Sequence, residues 1–150
     1  MADQNLRTSF SIILDKVQTK IEGVKTEFLK ELAKDLTNIS PVDTGDYVLS
    51  HTIGTQPSAN SHVTTSLGKT LSGQNKKQKQ EESFLNLVKE IDSLPKEANI
   101  VYVSNSVPHA IAVEYGGANW LRDGYAVYNT VENRANVYLA DAIAKVKGST

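Results

Sequence analysis

Three histidines, His51, His62 and His109, are the residues of this chain best suited to proton transfer or metal binding near neutral pH. Asp43, Asp46 and Glu114 are the carboxylates that could join them. A metal site draws at least two ligands from one local spacing, such as H-x-H or H-x-x-x-H, because a helix or turn must aim both at one point. No such pair occurs, so His51 reads as a partly buried strand residue and His109 as a turn residue. Gly68-Lys69-Thr70 has the ending of a phosphate-binding loop, yet Val63 stands where that pattern requires its first glycine. Serines are plentiful, but none sits in a G-x-S-x-G elbow. Glu81 and Glu82 follow a lysine run and read as solvated. With no cysteine there is no disulfide, thiolate ligand or thiol nucleophile. The residue types favour a chain without catalysis, cofactor or metal.

Binding to nucleic acid is the next chemistry to weigh. Lys69, Lys76, Lys77 and Lys79 fall in one polar stretch and could hold a phosphate backbone without reading its sequence. No aromatic residues are interleaved with them, and the formal net charge of −1 gives no global basic field. The 150 residues suit one domain spanning 1–150, and a chain of this size buries about 68–70% of its unfolded surface. Mean hydropathy is −0.33, and no apolar run approaches the roughly 20 residues that span a bilayer. The expectation is a soluble protein made in the cytoplasm, without a membrane partner.

The elements that must position these residues follow from periodicity. Phe10, Leu14, Val17, Ile21, Val24, Phe28, Leu32 and Leu36 recur at steps of three and four, which predicts one long helix over 5–38. At 1.5 Å per residue it would run roughly 45–50 Å, longer than a compact domain of this size needs. Phe10 and Leu14, in its first part, are therefore candidates for contact with another molecule. Pro41 stops the helix, and Pro41, Asp43, Thr44 and Gly45 form a tight turn. Tyr47, Leu49, His51 and Ile53 alternate with polar or smaller residues and predict a strand over 46–53. Residues 54–82 are rich in Ser, Thr, Asn, Gln and Lys and predict a flexible polar arm inserted in the domain. A short helix over 82–94, a strand over 100–103, a strand or helical turn over 110–115 and a helix over 123–147 complete the chain. Trp120 and Tyr125, before the last helix, are further candidate interface residues. The fold class read from this order is α+β, with the N- and C-terminal helices packed on an antiparallel sheet.

Two segments remain that no catalytic motif absorbs. The first is Pro41-Val42-Asp43-Thr44-Gly45, a P-V-D-T-G turn after a long helix. The second has the form N-x-x-P-x-A-x-x-V-E-x-G and consists here of Asn105, Pro108, His109, Ala110, Val113, Glu114 and Gly116. In that order, with a helix closing the chain, they resemble the tail-completion or neck (head-tail joining) proteins of tailed bacteriophages. His109 stands where those proteins usually carry tyrosine. The resemblance implies a structural virion protein that is not an enzyme and needs no cofactor. It implies a ring of identical subunits, commonly a hexamer, at the head-proximal end of the tail. Its partners would be further copies of itself, the head connector or stopper, the tail tube, and genomic DNA passing through the lumen without sequence recognition. Its place would be the neck of the virion, and the host cytoplasm during assembly. Lys69, Lys76, Lys77 and Lys79 would then belong to an assembly arm. The alternative is a cytoplasmic binding module with a flexible basic loop and weak, sequence-independent contact with DNA.

Overall fold

A computed structural model describes residues 8–13, 23–42, 45–57, 74–95, 98, 100–107, 110–116 and 124–148. At its centre is a strand rich in β-branched residues, Ile100–Asn105 (β3). It pairs antiparallel on one side with Thr8–Ile13 (β1) and on the other with His51–Gly54 (β2). The register sets Phe10, Val103 and Ile53 in one row across the sheet, and His51 directly opposite Asn105. Because side chains alternate along a strand, those rows share one face, and Val101, Val103, Ile53, His51 and Asn105 on it are buried. The other face carries a row of hydroxyls, Ser9, Ser104 and Thr52, with Thr52 Oγ1 and Ser104 Oγ 3.0 Å apart.

Among the described residues, six helical elements join this sheet: Val24–Ile39 (α1), Asp46–Leu49 (α2), Gln74–Asp92 (α3), Ala110–Tyr115 (α4), Val127–Asn133 (α5) and Ala135–Gly148 (α6). The described residues are thus mixed helix and strand around a three-stranded antiparallel sheet, consistent with an α+β class. Side chains from all three strands and all six helical elements enter one hydrophobic cluster. None of the helices described is long and apolar enough to cross a membrane.

The expected N-terminal helix is corrected to a strand followed by a shorter helix. Over 8–13 the apolar Phe10 and Ile12 alternate with exposed Ser9 and Ser11, a period of two that the three-and-four stripe masked. Gly23, with φ of 89°, lies in the left-handed region and starts α1 afresh. From there the expected stripe holds: Val24, Phe28, Leu32 and Leu36 are all buried. Ser40 is extended before Pro41, which ends the helix, and its hydroxyl returns to Leu36 O at 2.6 Å.

The expected strand over 46–53 begins instead as a turn of helix. Gly45 has φ of 102° and opens α2, in which the neighbours Tyr47 and Val48 are both buried. Ser50 Oγ donates to Asp46 O at 2.6 Å, and Ser83 Oγ of α3 donates to Val48 O at 2.5 Å, so local and tertiary bonds satisfy this turn's carbonyls.

The flexible arm over 54–82 is corrected at both ends. Gly54 belongs to β2, and 74–82 form the first half of α3; residues 58–73 lie outside the described residues. Gln, Lys and Glu are good helix formers even without apolar neighbours. The packed second half, with buried Ser83, Leu87 and Ile91, is the nucleus from which these turns extend. Gln80 Nε2 donates to Asn38 O and Ser40 O at 3.3 and 3.1 Å and so caps the end of α1. Glu90 accepts the Ile53 N–H at 3.1 Å, which covers part of the β2 edge. Burial raises the Glu90 pKa, and that hydrogen bond pulls it the other way.

Of the two options for 110–115, the helix is realised. The C-terminal helix is divided at Arg134, whose N–H is shared between Thr130 O and Val131 O, both at 3.1 Å.

Candidate functional site

The segment after the P-V-D-T-G turn and the second motif meet in a buried polar node. Asn105 ends β3, and its amide is used in full. Its Oδ1 accepts the Val107 N–H at 3.1 Å, bending the chain as it leaves the strand. Its Nδ2 donates to Tyr47 O at 2.7 Å and to His51 Nδ1 at 3.2 Å. Asn105 therefore ties the second motif to the residues that follow the first.

His51 is the hub. The Ser40 hydroxyl gives its only hydrogen to Leu36 O, so the hydrogen between Ser40 Oγ and His51 Nε2, 2.8 Å apart, sits on the histidine. That fixes the Nε2–H tautomer and leaves Nδ1 to accept from Tyr128 OH at 2.9 Å and from Asn105. Tyr47 and Tyr128 also touch the imidazole as rings, at centroid distances of 5.0 and 5.5 Å, and Phe10 meets Tyr128 edge-on at 5.7 Å. Burial lowers the His51 pKa to about 3, so the ring is neutral at physiological pH.

Glu114 is the second anchor. Its side chain is buried, and its two oxygens accept the N–H groups of Tyr128 and Asn129 at 2.8 and 2.9 Å. These are among the donors that the first turn of α5 leaves without a helical partner, and a carboxylate there also meets the positive end of the helix dipole. The backbone reinforces the clamp: Tyr125 N donates to Val113 O at 2.7 Å, and Ala126 N to Glu114 O at 3.0 Å. Gly124 has no room for a side chain, since a Cβ there would stand 2.2 Å from Glu114 O. Burial raises the Tyr47 pKa, with the Glu114 charge adding to it; for Tyr128, burial leads, followed by Tyr47 and Glu114.

The bonds of this arrangement join parts of one protomer to each other. A Ser–His pair activates serine only when the imidazole accepts the hydroxyl proton. Here the proton runs the other way, and the serine hydrogen is committed to a helix carbonyl. Among the described residues no group of three or more His, Asp or Glu side chains is placed to hold a metal ion.

The other sequence candidates are placed as follows. Pro41 is half-buried after α1, Gly45 opens α2, and Ala110 and Val113 are buried on α4. Gly116 has φ of 89° just beyond α4, a conformation that favours glycine. Lys76 and Lys77 are exposed on the first turn of α3, and Lys79 pairs with Glu82 at 3.4 Å. Phe10, expected at an interface, is instead in the core, because β1 turns it toward Tyr128. Tyr125 is 39% exposed at the entry to α5. Asp43, Thr44, Pro108, His109, Leu14, Lys69 and Trp120 lie outside the described residues.

Sequence reasoning did not identify Ser40, Tyr47 or Tyr128 as partners of His51. The alternation that placed Tyr47 and His51 on one face was the available signal for Tyr47. Nothing local points to Tyr128, which is 77 residues from His51.

A second polar cluster lines a groove of about 420 Å³ between α1 and α6. Asp35 Oδ2 accepts from Arg134 Nη1 at 2.9 Å and from Tyr138 OH, and Lys145 meets Glu31 and, at 3.6 Å, Glu27. These pairs staple two helices together at the surface.

Comparisons with models of known protein families, with curated proteins and with solved structures find no match to this chain.

Proposed function

We propose that this chain is a structural protein of a tailed-phage virion, without enzymatic activity, that completes the tail and joins it to the head. It acts as a ring at the head-proximal end of the tail. The observation that carries this reading is the convergence of the segments on which the resemblance rests. Asn105 holds Tyr47, just beyond the P-V-D-T-G turn, while Glu114 clamps α5. Both motif residues serve to lock the protomer. A subunit whose task is to present fixed surfaces to neighbours needs such locks; a catalytic subunit would need a reactive group left accessible.

Support also comes from what the surface offers. A closed ring requires two different patches on each subunit that fit one another. Tyr115 and Tyr125, 74% and 39% exposed, flank the Glu114 clamp, and Leu85 and Val137 are exposed on α3 and α6. Aromatic residues of this kind are frequent anchors in interfaces. Lys76 and Lys77 give the exposed end of α3 a positive charge suited to sequence-independent contact with DNA in the lumen. In this reading the partners are further copies of the chain, the connector or stopper, and the tail tube.

Two measurements test it. Light scattering of the purified protein, alone and with tail-tube protein, should reveal a closed oligomer near six times the 16.4 kDa chain mass. Immunogold labelling of purified particles should mark the head-tail junction. A protein that stays monomeric with the tube and is missing from infectious particles would overturn the proposal and favour the cytoplasmic binding module.

A further inference from the structure

The hydrogen-bond polarity of the buried node has a consequence for its response to acid. His51 Nδ1 is the one basic site in the node, and both of its partners point hydrogens at it. Tyr128 could reverse its hydroxyl and accept. Asn105 is unable to reverse: turning its amide would set Nδ2 against the Val107 N–H and Oδ1 against Tyr47 O. A proton arriving at Nδ1 therefore meets an N–H that must leave.

Among the described residues, the groups in contact with the ring come from four elements: Ser40 at the end of α1, Tyr47 of α2, Asn105 of β3 and Tyr128 of α5. None of these carries a charge that could neutralise an imidazolium. Two carboxylates stand on elements packed around the node: Glu114 of α4, which acts on both tyrosines and whose oxygens are held by the first turn of α5, and Glu90 of α3, which accepts the Ile53 N–H of β2.

We propose that His51 is an acid latch: a proton on Nδ1 expels the Asn105 amide from the ring and, through the bend that Asn105 holds at Val107, loosens the chain that runs from the end of β3 into the α4–α5 corner. That corner carries the Glu114 clamp and the exposed Tyr115 and Tyr125. The depressed basicity of the buried ring agrees with this geometry. The latch operates in the protomer itself and does not depend on the proposed place in a virion.

Two measurements on the full chain test it. In the first, nitrogen chemical shifts of the His51 ring are followed by NMR from pH 8 to pH 4. A neutral Nε2–H tautomer should persist in the closed form well below pH 6. In the second, hydrogen-exchange protection factors are compared across that range. Protection of the α5 amides should fall by up to tenfold per pH unit below 6.5, the ordinary histidine value, while α1 amides hold longer. His51→Gln keeps an N–H donor and an acceptor but no titratable nitrogen, so it should remove that step and keep α5 protected. The latch is overturned if His51→Gln retains the same acid step. It is also overturned if His51 in the wild type titrates near 6.5 with α5 still protected, a result that stands even where the variant fails to fold.

Discussion

Asn105 commits both amide hydrogens and its side-chain oxygen to buried partners, so its replacement breaks three bonds at once. Asn105→Ala is expected to cost about 1–3 kcal/mol, because the Val107 N–H loses its acceptor away from water, whereas Tyr47 O keeps the Ser50 N–H at 3.1 Å. Glu114→Gln should cost about 1–3 kcal/mol, since an amide N–H₂ replaces one of the two acceptors facing α5. Urea denaturation at pH 7 measures both. His51 sets a pH dependence whose sign follows from proton counting. The unfolded chain takes up the proton near 6.5, whereas the folded chain resists until about 3. Between those values the unfolded state binds more protons, so stability falls with falling pH, by at most about 1.4 kcal/mol per unit. Above 6.5 the ring is neutral in both states and contributes no slope. Urea midpoints from pH 8 to pH 4, compared between wild type and His51→Gln, should differ in slope only on the acid side. At this scale the sequence pointed to Asn105 and Glu114 through their motif, yet it offered no partner within the fold for Glu114. Its actual role, capping α5, depends on residues 128 and 129 arriving from the next element.

The elements divide into those whose period is unambiguous and those where two periods compete. The stripe from Val24 to Leu36 was legible because sixteen helical residues repeat it on one buried face. Residues 8–13 were not, because Phe10 fits both a strand alternation and the helical stripe, and only pairing with β3 selects the strand. Similarly, 74–82 lack apolar residues and read as loop, although the packed half of α3 carries them into helix. Tight contacts between elements leave even less trace in sequence. Gly124 lies against the Glu114 backbone, and Gly124→Ala should destabilise by about 2 kcal/mol or more, since the obstacle is main chain. Gly148 at the end of α6 has nothing within 4 Å of an added Cβ, so Gly148→Ala should be neutral or stabilising by roughly 0.5 kcal/mol. Thermal denaturation of the pair separates close packing from any general effect of removing glycine.

For the molecule as a whole, the residues that hold the fold and the large side chains left at the surface are different ones. Leu32 has no exposure and sits in the shared core, so Leu32→Ala should cost about 2–5 kcal/mol by denaturant titration. Tyr115 is 74% exposed, and Tyr115→Ser should leave the denaturation midpoint almost unchanged. Under the proposed ring reading, the same change weakens self-association in light scattering. A loss of stability equal to that of Leu32→Ala would show that Tyr115 is a packing residue instead.

By itself the sequence determined the mixed helix-and-strand class, the buried stripe of α1 and the stop at Pro41. Those features rest on periodicity and turn chemistry, which act over a few residues. Only the tertiary structure decided that Phe10 faces Tyr128, that Ser40, His51, Asn105 and Tyr128 form one network, and that Glu114 caps α5. Each of those bonds joins groups far apart in the chain. Their geometry is set by how the elements pack, and no local pattern carries that information.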